Sequence, residues 1–200
     1  GYALVMLARD LLIGVIDPFG IRPLVIGTLK DSYVFASETC ALDIIGAKYI
    51  RDVENGEIVY VENKKLISLK PFPLKKKRPC VFEYIYFSRP DSILNGKCAY
   101  EYRKNFGREL AKESSIDADL VVPVPDSGNA AAIGYSQYKK IDFDLGLIRN
   151  HYVGRTFIEP AQKIRSLGVR LKLNANKSTI KNKRIILVDD SLVRGTTSHK

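Results

Sequence analysis

The sequence predicts a mixed fold in two parts: an α+β first part, then an α/β part built on a parallel sheet with flanking helices. Three observations carry this. Short β-branched and aromatic runs, separated by turn residues, fill roughly the first 70 positions. A basic, proline-rich break follows, Pro71-Phe-Pro-Leu-Lys-Lys-Lys-Arg-Pro79. Beyond it, helical spacing alternates with continuous apolar runs, the pattern of a sheet buried on both faces.

The first part takes its strands from Leu12–Ile16, Leu24–Ile26, Tyr33–Phe35 and Glu57–Val61. Asp17-Pro18, Lys30-Asp31-Ser32 and Asn55-Gly56 supply the turns between them. The break at 71–79 reads as a solvated connection, because its prolines cannot sit inside a ladder and its lysines favour water. Ala99, Tyr102, Phe106 and Leu110 recur at helical spacing and predict an amphipathic helix over about 98–114. Leu120–Val124 is an apolar strand, and Asn129-Ala-Ala-Ala-Ile133 suits a closely packed helix. The last strand is Ile185–Val188. Between them, Arg149–Lys177 shows no clear period and holds seven basic residues against one acid. A long irregular basic segment reads as a loop that closes over an anion.

A hydrophobic content of 46% supports a packed core, and no apolar run approaches the roughly 18 residues of a membrane span. No signal-peptide pattern precedes the first strand. The chain starts on Gly1 inside an apolar run and stops at Lys200 where a helix should be opening, so it reads as an internal fragment. Cys40, Cys80 and Cys98 are odd in number and far apart, with no Cys-x-x-Cys. That argues against a disulfide framework or zinc finger and for a reducing cytoplasm. The net charge of +10 admits nucleic acid, an anionic membrane surface or an anionic small substrate, and equally a merely lysine-rich surface.

The chemistry concentrates in Ile186-Leu-Val-Asp-Asp-Ser-Leu-Val-Arg-Gly-Thr-Thr-Ser198. In parallel α/β sheets, ligands gather at the carboxyl ends of strands, where Asp189 and Asp190 stand. Gly195 lets the backbone approach an anion closely, and Thr196, Thr197 and Ser198 donate hydroxyls to its oxygens. Two acids beside a phosphate cradle suit a sugar phosphate: carboxylates accept from ribose hydroxyls or hold a Mg²⁺ that carries a second phosphate group. The plainer reading is that Asp190 or Ser191 caps a helix.

This stretch resembles the phosphoribosylpyrophosphate (PRPP) motif of type I phosphoribosyltransferases, and more narrowly that of the glutamine PRPP amidotransferases. Asp17-Pro-Phe-Gly-Ile-Arg-Pro-Leu24, Ala36-Ser-Glu-Thr-Cys-Ala-Leu42, Glu83-Tyr-Ile-Tyr-Phe-Ser-Arg-Pro-Asp-Ser92, Val124-Pro-Asp-Ser127 and Tyr152-Val-Gly-Arg-Thr-Phe-Ile158 are similar to the same family. The resemblance implies residues 1–72 as the C-terminal part of an N-terminal-nucleophile glutaminase domain (an αββα sandwich). It makes 73–90 a connection and 91–200 the first part of a type I phosphoribosyltransferase domain. It implies the making of phosphoribosylamine, glutamate and pyrophosphate from PRPP, glutamine and water at the start of purine synthesis, with ammonia channelled between sites. The glutaminase nucleophile, an N-terminal Cys, matches none of the three cysteines, so this fragment alone should not hydrolyse glutamine.

Residue by residue, the resemblance gives PRPP to Asp126, Ser127, Asp189, Asp190, Ser191, Arg194, Gly195, Thr196, Thr197 and Ser198. It gives Mg²⁺ to Ser127, Asp189 and Asp190. Arg155 and Lys172 are candidate pyrophosphate contacts and Tyr152 a candidate for the ammonia path; each is alternatively an ordinary loop residue. Cys80 matches the first of four cysteines that hold a [4Fe–4S] cluster in one branch of the family, or is a small buried apolar residue. The family implies a homotetramer or dimer, with no nucleic-acid or membrane partner. Three rivals compete with it: a PRPP-sensing transcription regulator, a free-standing salvage transferase and an inactive fragment. The β-rich first part, with its glutaminase-like stretches, disfavours the first two.

Overall fold

The computed structural model describes residues 1–152 and 171–192. The chain divides into two compact units, residues 1–100 and 101–200. In the first, β1 (Ala3–Ala8), β2 (Leu11–Ile16), β6 (Ile58–Glu62) and β7 (Lys65–Leu69) form an antiparallel sheet in the order β1-β2-β6-β7. A second antiparallel sheet, β4-β3-β5, is built from β3 (Val25–Leu29), β4 (Ser32–Ala36) and β5 (Lys48–Asp52). The two sheets share one core, in which Ile16 and Val59 from the first meet Ile26 from the second, closed by Leu24 and Val53. Strand alternation then gives β3 a second role. Ile26 faces the sheet–sheet core, while Val25 points the other way and packs with Leu42 of helix α1 (Thr39–Ile44) and with Ala47. The layers therefore run sheet, sheet, helix. The four predicted strands are all present; β1, β5, β7 and α1 are added to them.

The proline-rich break forms no helix or strand, as its composition predicts. It is held against the first unit by its backbone: Arg78 N–H donates to Phe19 O at 2.7 Å and Cys80 N–H to Ile21 O at 2.9 Å. A short π-helical turn, Glu83–Phe87, and the hairpin β8 (Ile93–Leu94)–β9 (Lys97–Cys98) complete this unit.

Helix α2 (Ala99–Glu113) lies where the sequence places it, but the apolar stripe is not the buried one. Phe106 and Leu110 are exposed, whereas Arg103, Gly107 and Ala111 are buried. The reason is close contact with α3 (Asn129–Lys139). A Cβ at Gly107 would lie 1.8 Å from Ala131 O, and one at Gly134 would lie 2.0 Å from Lys104 O. Backbones this near admit only glycine at the crossing, so small residues, not large apolar ones, set the facing surface.

Strands β10 (Leu120–Pro123) and β13 (Ile185–Val188) pair in parallel, Leu120 opposite Ile185 through Pro123 opposite Val188. Val121 and Val188 pack with Ala111, Ala132 and Tyr135 from the two helices. All four residues of β10 are buried, as expected of a parallel strand, whereas Ile185 and Leu187 of β13 are exposed among the described residues. Within the predicted irregular segment, both ends are ordered. β11 (Leu147–Arg149) and β12 (Leu173–Ala175) form an antiparallel ribbon, continued by Asn150 N–H donating to Lys172 O at 2.7 Å. A one-turn helix, α4 (Lys177–Ile180), precedes β13. No described helix is long and apolar enough to cross a membrane.

Candidate functional site

The parallel pairing of β10 and β13 sends two loops out of one end of the sheet. Val124 N–H donates to Val188 O at 2.8 Å, and Gly128 N–H returns to Val124 O at 2.9 Å, so the loop 124–128 is wound round the end of β13. The Pro125–Asp126 peptide within it is cis. Gly128 is required there, because a Cβ would sit 2.3 Å from Val188 O. Asp126 and Ser127 thus leave the same sheet end as Asp189 and Asp190.

The two adjacent acids have few donors. Asp190 N–H donates to Asp189 Oδ1 at 2.9 Å, and the Ser191 hydroxyl donates to Asp190 Oδ2 at 3.1 Å. Protein crowding around Asp189 limits its hydration, and the neighbouring Asp190 adds a side-chain hydrogen bond and negative charge. Together these push the Asp189 pKa up to about 6, even though its side chain opens to solvent. Lys172 acts on it in the opposite sense, which places that cation within electrostatic reach of Asp189.

Asp126 is paired with Arg149 at the end of β11. Arg149 Nε and Asn129 Oδ1, at the start of α3, are buried and have no hydrogen-bond partner among the described residues. Buried polar atoms without a partner call for an explanation, and a bound ion, water or ligand is one that fits. Sequence reasoning missed Arg149, Asn129 and Gly128. The last was detectable as the glycine that closes Val-Pro-Asp-Ser-Gly; Arg149 stood at the edge of a segment without periodicity, and Asn129 in a stretch read only as a closely packed helix.

Ser127 is half-buried in its loop. Tyr152 is fully exposed, its N–H donating to Asn150 Oδ1 at 3.0 Å. Arg155, Arg194, Gly195, Thr196, Thr197 and Ser198 lie outside the described residues. Cys80 is half-buried, Cys40 buried and Cys98 half-buried, and all three are free thiols. Among the described residues, no three His, Cys, Asp or Glu side chains converge as a metal cage would require.

No family model matches the chain. Over its whole length it is 57% identical to the amidophosphoribosyltransferase of Rhizobium etli, 56% to that of a Synechocystis species and 49% to that of Bacillus subtilis. It spans about two fifths of their length: 41%, 41% and 42%. A solved structure of glutamine PRPP amidotransferase from Bacillus subtilis, complexed with ADP and GMP, superposes with a TM-score of 0.87 at 49% identity. The match covers 98% of this chain and 43% of that one.

Proposed function

We infer that the chain, homologous to the amidophosphoribosyltransferases from its first residue to its last, is the part of such an enzyme that carries its PRPP site. The parent enzyme would make phosphoribosylamine, glutamate and pyrophosphate from PRPP, glutamine and water. The observation that carries this reading is the meeting of two loops, 124–128 and 189–191, at one end of a parallel strand pair, where two adjacent acids have few donors among the described residues. On this reading residues 1–72 belong to the glutaminase domain, 73–90 to the connection and 91–200 to the transferase domain.

The roles follow from what each group lacks. Asp189 and Asp190 accept hydrogen bonds from the ribose hydroxyls. Limited hydration and the neighbouring Asp190 together raise the Asp189 pKa to about 6, and a bound cation would offset both. Mg²⁺, when present, neutralises charge on the departing pyrophosphate. Lys172 and Arg149, and Arg155 by its sequence, add positive charge on the leaving-group side, an electrostatic stabilisation of charge that develops in the transition state. Ser127 and Asp126 present the loop that meets pyrophosphate and metal. Arg194, Gly195, Thr196, Thr197, Ser198 and Ser191 take the 5′-phosphate, and Tyr152 borders the path of ammonia.

Two finer readings accompany it. Cys80 contributes one thiolate to an iron–sulfur cluster; iron and sulfide content of the full-length protein and of Cys80→Ser decides this. The three free cysteines suit a cytoplasmic enzyme, and sedimentation separates a homotetramer from a dimer. The main test follows pyrophosphate release by the full-length protein with PRPP and Mg²⁺, first with glutamine, then with ammonia. Release with both, lost in Asp189→Asn/Asp190→Asn, is expected. Release with neither overturns the reading in favour of a sensor or an inactive chain.

A further inference from the structure

The proposed transferase chemistry makes no use of two of the family-like stretches, Ala36–Leu42 and Glu83–Ser92. They hold one another. Glu38 stands at the N-cap of α1, yet its side chain makes no bond to its own helix. Its Oε2 instead reaches a turn some fifty residues later, accepting the Arg89 N–H at 2.8 Å and the Ser92 hydroxyl at 2.6 Å. Beside it, Thr39 Oγ1 accepts the Ile93 N–H at 2.8 Å. Ser92 is completely buried. The turn is stiff, because Ser92 N–H donates back to Arg89 O at 3.0 Å and the Arg89 guanidinium forks onto Asp91 at 2.9 and 2.7 Å.

The other side of the same turn starts α2. Ala99 N–H donates to Ser92 O and Tyr100 N–H to Pro90 O, each at 2.8 Å. The opening N–H groups of a helix have no partner inside it, so whatever accepts them sets where the helix begins. A line of hydrogen bonds therefore runs from Glu38 and Thr39, through one rigid turn, to the first residues of α2. An acceptor at an N-cap ordinarily serves its own helix. Glu38 spends its charge-assisted bonds on a distant turn instead, which local stability of α1 does not explain.

We propose that Glu38 is a positioning residue: it anchors the start of α2 to the glutaminase-like sheets, so that nitrogen released from glutamine reaches PRPP. This rests on the amidotransferase reading. Glu38 acts through Arg89 and Ser92 and touches neither substrate.

The test uses the full-length protein and measures glutamate and pyrophosphate release with glutamine, and pyrophosphate release with saturating ammonia. Glu38→Ala should lower glutamine-dependent pyrophosphate release about tenfold, the scale of a modest misplacement of reacting groups. Its ammonia-dependent release should stay within about twofold of wild type, so that glutamate is made in excess of pyrophosphate. Glu38→Gln should restore coupling, because one amide oxygen can accept both bonds. If Glu38→Ala does not fold, Thr39→Val removes one bond of the three and should show the same imbalance at smaller size. Equal loss with both nitrogen sources, or glutamate and pyrophosphate still released one to one, overturns the proposal. Failure of the wild type with both nitrogen sources overturns the amidotransferase reading beneath it, and is read before any variant is made.

Discussion

Glu57 and Asp189 stand at opposite ends of comparable strands, and the protein treats them in opposite ways. Glu57 precedes β6 and is almost completely buried. Burial alone would raise its pKa, but the Arg51 fork at 2.8 and 2.7 Å, the Ser68 hydroxyl and the Glu54 N–H outweigh it and hold the carboxyl below its usual range. Asp17 is handled alike: it is buried, and the backbone N–H groups of Tyr2, Phe19 and Ile21 converge on it. Asp189 follows β13 with limited hydration of its carboxyl and a second acid beside it, and these push its pKa up to about 6. A carboxylate whose acceptor sites are filled by its own chain is a structural part. One left with a like-charged neighbour and few donors among the described residues is a candidate for a functional site.

The sharpest way to break this contrast is Asp189→Asn/Asp190→Asn in the full-length protein. Pyrophosphate release should fall by on the order of a hundredfold or more, with thermal unfolding unchanged or slightly improved, because no structural bond network is lost. A large fall in stability would place these acids with Glu57. Gly107→Ala comes next and probes the frame behind the acids. Its Cβ meets the Ala131 carbonyl oxygen at 1.8 Å, so α2 and α3 must separate. A loss of about 3 kcal/mol in unfolding free energy is expected, while an unaltered midpoint would refute so close a crossing.

Glu57→Gln should cost about 2 kcal/mol, since the Arg51 guanidinium loses its anionic partner beside a buried position. Faster amide exchange in β6 and β7 is the readout, with little change in exchange across β10. The smallest effect is in pH dependence, and its sign differs between the two acids. The lowered pKa of Glu57 gives stability that is present above the usual carboxylate range and lost as pH falls through its folded value. The raised pKa of Asp189 gives stability that is full below about 4 and lost as pH rises through about 6. Asp189→Asn should therefore flatten unfolding free energy between about pH 4 and 7, by less than about 1 kcal/mol given solvent screening. Glu57→Gln should flatten it only below that window.

Much of this site was legible without coordinates. Four β-branched runs, the helix near 98–114 and the paired strands Leu120–Val124 and Ile185–Val188 follow from periodicity and turn chemistry. An apolar strand running into Asp189-Asp190 is a local pattern, and parallel sheets place ligands at such ends. Arg149 and Asn129 were not legible, because their part in the site comes from pairings across the fold: Arg149 from the β11–β12 ribbon and Asp126, Asn129 from its place where α3 begins. Nor was the bond from Glu38 to Ser92, which joins two stretches some fifty residues apart.

By itself the sequence determined four strands of the first part, the two strands that pair in the second, the longest helix, where the chain breaks and which adjacent acids end an apolar strand. These are properties of neighbours along the chain: branching at Cβ, proline's missing N–H, and spacing at two or nearly four residues. Only the tertiary structure decided which face of α2 is buried, which carboxylates are filled and which are left open. Those outcomes depend on how nearly two backbones approach and on which distant donors arrive. Gly107 against Ala131 and Arg51 against Glu57 show that composition cannot specify either distance.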